Sequence, residues 1–284
     1  MSGLLNGMED HMMRDINRSA ELIERDAWID WFAAAPDGVR DELGLTSTTI
    51  AGMGLLGCRA IPIIELNRAI AVGIQKSPSM TDLDAAASWL DRHTVSWAMQ
   101  IAPGARTPAL SDFIARAALS EAGSGWAKFV AQDAPRSRDP ILEPVTVEII
   151  DDERADEFGR AVIEGFGLPE VCQGWFAALA DRPLWQCFAA IVDGEIASCG
   201  AMFVRDEVAW FGMQATRPAF RCRGFQRSII AAQMSAAAEM GATVFTCETS
   251  HPINRADKGF TSYRNQERAG LTFSYARPNF KRTA

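Results

Sequence analysis

The sequence predicts an α/β fold made of two similar lobes. Strand-like and helix-like patterns alternate along the chain, and each half has the order strand, loop, helix, strand, helix, strand. A polar stretch with prolines, 133–144, separates the halves and is typical of a linker. We therefore expect an internal duplication with lobes at 1–132 and 145–284. The same order would also arise by chance in two unrelated α/β domains.

The elements of each lobe follow from hydrophobic periodicity and from glycine and proline stops. In the first half the pattern predicts a helix at 8–35, strands and a turn in 46–60, a strand at 68–74, a helix at 82–91 capped by Thr81, a strand at 94–101, a helix at 108–122 and a strand at 123–130. In the second half it predicts strands at 145–150, 185–192, 195–204, 208–213, 243–247 and 271–277, and helices at 153–163, 171–179, 225–240 and 261–269. Residues 119–123 and 266–270 are alike, which also suggests duplication.

One glycine pattern, Gly52-Met53-Gly54-Leu55-Leu56-Gly57, formally matches a dinucleotide-binding loop. Such a loop must open into a helix, whereas Pro62 follows in a β-like run. The pattern is therefore more typical of a glycine-rich pair of strands.

Composition limits the function classes. A net charge of -8 argues against a nucleic-acid binder. Six scattered cysteines without a CxxC motif and only three histidines argue against a metal site, and reduced thiols indicate a cytoplasmic protein. The first residues lack an apolar signal region, and the most apolar run, 50–64, is too short to span a membrane. We expect no metal, no membrane and no nucleic-acid partner.

The chemistry is concentrated in the loop Arg221-Cys222-Arg223-Gly224-Phe225-Gln226, between a predicted strand and a predicted helix. Backbone N–H groups at a helix start attract anions, and a glycine lets the backbone approach a ligand closely. Arg221 and Arg223 add two permanent positive charges. The loop thus predicts a phosphate or pyrophosphate cradle, although an exposed basic turn before an alanine-rich helix would look the same.

This loop resembles the Arg/Gln-x-x-Gly-x-Gly/Ala signature of the GNAT superfamily of N-acetyltransferases, with Gln226 in the last position. The stretch Ser262 to Leu271 resembles the second signature of that family, with Leu271 where phenylalanine is usual. The resemblance covers about residues 145–280, and the first half is similar to the degenerate first lobe of tandem members. It implies two GNAT-like lobes, each a mixed, mostly antiparallel sheet flanked by helices, with acetyl-CoA bound only in the second.

The resemblance also implies roles for individual residues. Tyr263, one helical turn before the usual tyrosine position, is the preferred acid for the leaving thiolate, and otherwise a packing residue. Glu248 is the candidate general base, and a loop-capping role fits it equally well. Cys222 is interpreted as a loop residue, since direct transfer needs no acyl-enzyme. The implied acetyl-CoA contacts are Gln214, Ala215 and Thr216 at the carbonyl, Arg221, Cys222, Arg223, Gly224, Phe225 and Gln226 at the pyrophosphate, and Ser262 and Asn265.

The function implied is an acetyl-CoA-dependent N-acetyltransferase that acts by direct attack of a small-molecule amine. One alternative is a non-catalytic acyl-CoA-binding or regulatory module that kept the cradle. Another is an aminoacyl transferase with paired lobes, which would need a basic surface for charged RNA and is disfavoured by the acidic balance. The sequence leaves open whether the protein is a monomer or a homodimer.

Overall fold

A computed structural model describes residues 2–132, 145–257 and 259–282. The predicted linker, 133–144, lies outside them. The described chain forms eight α-helices and one mixed sheet of 11 strands. No helix in these ranges combines the length and the apolarity needed to cross a bilayer.

The elements of the first half run from a long helix to a long strand. They are α1 (Ser2–Ala34), α2 (Asp37–Leu43), β1 (Leu45–Ile50), β2 (Met53–Cys58), β3 (Arg68–Ile70), α3 (Met80–His93), β4 (Ala98–Gln100), α4 (Pro108–Arg116) and β5 (Leu119–Gln132). The second half contributes β6 (Thr146–Ile150), α5 (Ala155–Phe166), α6 (Gln173–Ala177), β7 (Trp185–Val192), β8 (Glu195–Arg205), β9 (Val208–Thr216), α7 (Phe225–Glu239), β10 (Val244–Ser250), α8 (Phe260–Ala269) and β11 (Thr272–Arg282).

The two halves share one continuous sheet because they exchange their last strands. The strand order is β1-β2-β3-β4-β11-β5-β10-β9-β8-β7-β6. Strand β11 lies between β4 and β5 of the first half, and β5 lies between β10 and β11 of the second. Among the described strands, only β3–β4 and β9–β10 are parallel pairs. Each half therefore completes its sheet with a strand from the other.

Helices cover both faces of this sheet. One face carries α1, α2, α5 and α6, and the indoles of Trp31 in α1 and Trp175 in α6 stack with centroids 3.9 Å apart. The other face carries α3 and α4 over the first half and α7 and α8 over the second, each pair with its own apolar core. Because α1 packs against residues of both halves, its burial couples them.

The predicted helix 108–122 is wrong in its second part. Helix α4 ends at Arg116, Ala118 has a φ of 51°, and β5 begins at Leu119. Residues 119–122 pair with β11, so a strand from the far end of the chain overrides their local helical preference. Residues 119–123 therefore lie in a strand, whereas 266–270 end a helix, and their likeness in sequence is not a structural repeat.

Of two smaller predictions, the cap of α3 is wrong and the glycine-rich strand pair is confirmed. The cap of α3 is Ser79 rather than Thr81: the Ser79 hydroxyl accepts from the backbone N–H of Asp82, whose carboxylate accepts from the N–H of Ser79. This capping box satisfies two of the free N–H groups of the helix. The glycines of 52–57 lie in the β1–β2 hairpin, as expected of a glycine-rich strand pair.

Candidate active site

Strands β9 and β10 separate in the middle of the second half. They pair from Val208 with Val244 to Phe211 with Cys247. Beyond that point β9 continues along β8, and β10 continues along β5. Their facing backbone groups are then released from the sheet, and such groups need other partners.

A bulge lies in β9 just past the separation. Met213 has a φ of 54°, and the register with β8 shifts between Cys199 and Ala201. After the bulge Ala215 and Thr216 stay paired with β8. A bulge re-aims the backbone, so the segment 214–216 that we expected at a substrate carbonyl begins where β9 bends.

The loop after β9 leads to a helix start without a side-chain cap. Gly224 is the N-cap of α7 with a φ of 88°, and no side chain of the described residues accepts a hydrogen bond there as a cap. A Cβ built on Gly224 meets nothing within 4 Å. Open space before an uncapped helix start fits an anionic ligand. The start of α3 in the first half differs, because the side chains of Ser79 and Asp82 occupy two of its N–H groups.

The side chains of Arg221, Cys222 and Arg223 stay near the surface. The guanidinium of Arg221 donates from Nη2 to the carbonyl of Gly165 (2.8 Å) and from Nε to that of Thr216 (3.3 Å). The guanidinium of Arg223 lies 4.8 Å from the ring centroid of Phe225, whose side chain is buried. Cys222 is an exposed free thiol with a φ of 66°. The cradle is thus open to solvent, and Arg221 ties it to the end of α5.

A network of amide side chains joins the separation to both flanking helices. Gln266 donates from Nε2 to Oε1 of Gln214 (2.8 Å), and Asn265 donates from Nδ2 to Oε1 of Gln226 (2.8 Å). Gln226 in turn donates from Nε2 to Oγ of Ser262 (3.2 Å). The structure therefore brings together four predicted site residues, Gln214, Gln226, Ser262 and Asn265, and adds Gln266. Gln266, three residues after Tyr263, was not among the predicted site residues.

Tyr263 and Glu248 lie on opposite faces of the sheet. The ring of Tyr263 packs edge-on against Phe129 of β5, with centroids 4.9 Å apart. Glu248 instead contacts Lys128, the neighbour of Phe129 on β5, and consecutive strand residues point to opposite faces. Burial raises the pKa of the Tyr263 phenol, and Glu267 raises it further. The phenol therefore holds its proton at neutral pH.

Gln266 faces the amide network, whereas Tyr263 faces the rings of Phe129 and Phe273. The two residues therefore do not share one face of α8.

Glu248 is a strand residue beneath α1 and not a loop cap. Its Oε2 accepts from Nε1 of Trp210 (2.9 Å) and lies 3.4 Å from Nζ of Lys128. Only 5% of its side chain is exposed. Burial and the nearby Glu24 carboxylate raise the pKa of Glu248. A buried carboxylate of this kind beside the strand separation is a candidate for accepting a proton.

Glu248 belongs to a buried charged cluster that the sequence analysis missed. Arg277 donates to both carboxylate oxygens of Glu24 (2.7 Å each) and to Glu21 (2.9 Å). Lys128 is also paired with Glu24. Although burial alone would raise it, Arg277 and Lys128 hold the pKa of Glu24 far below its usual value. The cluster consists of Glu21, Glu24, Arg68, Lys128, Glu248 and Arg277.

The sequence matches no model of a known protein family, and no curated protein matches it in sequence. Solved structures do match. A GCN5-related N-acetyltransferase from Kribbella flavida gives a TM-score of 0.58 at 13% identity over 87% of this chain and 94% of that chain. One from Sphaerobacter thermophilus gives 0.55 at 14% identity over 76% and 71%. The chain therefore has the GCN5-related N-acetyltransferase fold.

The likeness extends beyond proteins described as acetyltransferases. A conserved protein of unknown function from Staphylococcus epidermidis gives a TM-score of 0.54 at 8% identity, covering 88% of this chain and 98% of that chain. Identities this low establish the shared fold alone.

Proposed function

We propose that the protein is an acetyl-CoA-dependent N-acetyltransferase that acts on a small amine. One observation carries the proposal: β9 and β10 separate beside an open, uncapped helix start that is preceded by two arginines. This arrangement offers backbone N–H groups and positive charge to the diphosphate of acetyl-CoA. The unpaired backbone of the separated strands is available to the pantetheine arm that follows the diphosphate.

The residues present fit acetyl-CoA. Arg221 and Arg223 would neutralise the pyrophosphate, and the N–H groups at Gly224, Phe225 and Gln226 would bind its oxygens. Gly224 has no Cβ, and the space that a Cβ would enter is open, so a phosphate can approach the backbone there. Ser262 and Asn265, already linked to Gln226, would contact the pantetheine or phosphate. Acetyl-CoA supplies the acetyl group as a thioester.

The chain's own groups can perform the proton transfers. A neutral amine must attack, so Glu248 accepts the amine proton through water. The backbone at 214–216, past the bulge in β9, polarises the carbonyl. Tyr263, whose phenol keeps its proton at neutral pH, donates to the leaving sulfur from the other face of the sheet. Because the base and the acid lie on opposite faces of the sheet, the proton that Glu248 accepts stays separate from the proton that Tyr263 donates.

We further propose that 1–132 and 145–284 are duplicated lobes and that only the second binds acetyl-CoA. The repeated parallel pairs β3–β4 and β9–β10 support the duplication. The capping box of Ser79 and Asp82 supports the absence of a pyrophosphate cradle in the first lobe, because it occupies two of the N–H groups at the start of α3 and adds a negative charge.

The position of α1 favours a small acceptor. It covers the sheet face that holds Glu248 and leaves that side chain 5% exposed. The same burial also favours the second candidate function, a non-catalytic acyl-CoA-binding module, if α1 stays in place during ligand binding.

Calorimetry and a thiol-release assay test both candidates. Acetyl-CoA should bind, and the double variant Arg221→Ala/Arg223→Ala should weaken binding by ~2–4 kcal/mol, since charge-assisted contacts contribute about 1.5–3 kcal/mol each. Arg116→Ala is the matched control, because Arg116 is an exposed arginine that pairs with Asp84 in the first half. Unchanged affinity in the double variant would remove the cradle from its role.

The assay then separates the candidates. An enzyme releases free CoA with at least one member of a panel of small amines. A binding module retains acetyl-CoA affinity and releases none.

A further inference from the structure

Equivalent positions of the two halves can be aligned on the paired strands. The parallel pair β3–β4 ends with Ala69 opposite Met99, and β9–β10 ends with Phe211 opposite Cys247. Two residues past Ala69, Ala71 has a φ of 53°, and two residues past Phe211, Met213 has a φ of 54°. The same backbone irregularity thus follows the same pairing step in each half.

This alignment makes Gln100 of β4 the counterpart of Glu248 of β10. Each is the next residue after the last parallel pair. Gln100 lies opposite Asn279 of the exchanged strand β11, and Glu248 lies opposite Lys128 of the exchanged strand β5. Each therefore faces a side chain from the other half of the chain.

The same three positions are linked by hydrogen bonds in each half, although the second bond has the opposite direction. In the first half, Arg68 of β3 donates to Oε1 of Gln100 (2.7 Å), and Gln100 donates to Oδ1 of Asn279 (2.9 Å). In the second half, Trp210 of β9 donates to Oε2 of Glu248 (2.9 Å), and Lys128 lies 3.4 Å from the same oxygen. The central amide and its neutral partner in one half correspond to a carboxylate and a cation in the other.

The two sets of three linked side chains differ in their capacity to exchange protons. Gln100 and Asn279 have no titratable group, whereas Glu248 can accept a proton and Lys128 bears a charge that opposes this. The equivalent positions are linked in both halves, and in the first half a neutral pair suffices, so the link alone does not require a charged pair. The titratable version lies in the half that has the open helix start.

Charged groups from every element packed against Glu248 surround it. Helix α1 supplies Glu24, β3 supplies Arg68, β5 supplies Lys128, and β11 supplies Arg277, which also pairs with Glu21 of α1. Three carboxylates thus balance three cations in the buried cluster. Lys128 is the cation in contact with Glu248.

We propose that Lys128, carried by the exchanged strand of the first lobe, is a positioning residue that holds Glu248 in its carboxylate form. The inference rests on the proposed function, in which Glu248 accepts the amine proton. It gives the first lobe a defined part in the chemistry of the second, because β5 carries the cation that pairs directly with Glu248, whereas Arg68 and Arg277 pair with Glu24. The pair is absent in the first lobe because no base is needed there.

The test compares Lys128→Asn, Glu248→Gln and the double variant, which copies the neutral Gln100–Asn279 pair. All three should keep acetyl-CoA affinity, since the cluster lies on the other sheet face from α7. Glu248→Gln and the double variant should lose turnover. Lys128→Asn should keep partial turnover, with the acidic limb of its kcat/KM profile moved upward by about 1–3 pH units. Lys128→Arg should largely restore the profile, and Lys281→Asn is the control on strand β11.

An acidic limb that stays in place in Lys128→Asn would overturn the inference. If Lys128→Asn does not fold, the comparison is made with Lys128→Gln, which keeps more of the length of the lysine side chain. With that variant, too, an unmoved limb contradicts the inference.

A second readout does not depend on turnover. Carbon-13 NMR of glutamate-labelled protein follows the Glu248 carboxyl, assigned by its loss in Glu248→Gln. Its titration should move to higher pH in Lys128→Asn, and an unmoved titration overturns the inference. A moved titration in a protein that acetylates no amine would sustain the control of Glu248 by Lys128 while the transferase proposal fails.

Discussion

Gly212 and Trp210 are in direct contact on strand β9. A Cβ added at Gly212 would lie 1.9 Å from Cη2 of the Trp210 indole. The same indole donates to Glu248 and packs edge-on against Trp28 of α1, with centroids 6.3 Å apart. The missing side chain at 212 therefore allows the indole to lie where it can bind the carboxylate.

Gly212→Ala is expected to displace this indole. The methyl group cannot be accommodated without moving Trp210 within a buried aromatic cluster, which costs about 1–3 kcal/mol in an overpacked core. Urea denaturation should show that loss, and the near-ultraviolet tryptophan signal should change. Gly38→Ala is the control, since a Cβ there meets nothing within 4 Å. Equal stability of the two variants would show that the contact is not restrictive.

Glu24→Gln is expected to be strongly destabilising at neutral pH. Arg277, Lys128 and Arg68 would keep their charges with one carboxylate fewer, and breaking a buried ion network costs about 3–5 kcal/mol. Glu42→Gln, at an exposed position of α2, should change stability little.

The same substitution should alter the pH dependence of unfolding. Because the pKa of Glu24 is lowered in the folded state, its stabilisation is complete above its usual value of 4.5 and is lost as pH falls below it. Glu248, whose pKa is raised, contributes with the opposite sign. Urea midpoints between pH 3 and 7 should therefore fall on acidification more steeply in the wild type than in Glu24→Gln. Parallel curves would contradict this assignment.

Local patterns in the sequence predict much of the fold and the cradle. The Asp193-Gly194 turn, flanked by apolar runs, predicts the β7–β8 hairpin, which the structure confirms. The loop at 221–226 predicts a helix start after a strand, which α7 also confirms. Each of these features depends on residues close in the chain, where turn chemistry and periodicity are informative.

The exchanged strands and the buried cluster are not predictable in this way. Lys128 and Glu24 are paired although 104 positions separate them, and Arg277 and Glu24 are 253 apart. A lysine in an apolar strand indicates nothing about its partner, and α1 shows only an apolar face until its position over β5 and β11 is known. A charged residue between apolar neighbours, as in Ala127-Lys128-Phe129, was nevertheless a signal that this strand buries a charge.

Tyr263→Phe separates the two interpretations of this tyrosine. Phenylalanine keeps the ring contacts with Phe129 and Phe273, so stability should stay within about 0.5 kcal/mol. If the phenol protonates the leaving thiolate, kcat should fall by about 10²–10⁴-fold while acetyl-CoA affinity is unchanged. A thiol-release assay measures kcat, and calorimetry measures the affinity for acetyl-CoA. A fully active variant would leave Tyr263 as a packing residue.

The control variant is the other tyrosine of the chain. Tyr275 donates to Glu21 (2.6 Å) on the buried face, so Tyr275→Phe should cost about 1–3 kcal/mol of stability. The two substitutions are therefore expected to have opposite profiles, one affecting turnover and the other affecting folding.

Gly224→Ala and Gly241→Ala form a matched pair that isolates ligand binding from backbone strain. Both glycines have positive φ, 88° and 91°, and a Cβ at either meets nothing within 4 Å. Each substitution should therefore cost a similar ~1–2 kcal/mol of stability, because an alanine resists left-handed backbone. Gly224 begins α7 in the cradle, whereas Gly241 follows the other end of the same helix. Only Gly224→Ala places a methyl group in front of the N–H groups that would bind the pyrophosphate, so it alone should lose acetyl-CoA affinity, by about tenfold or more. Calorimetry that finds the same affinity in both variants would mean that the diphosphate does not approach this helix start.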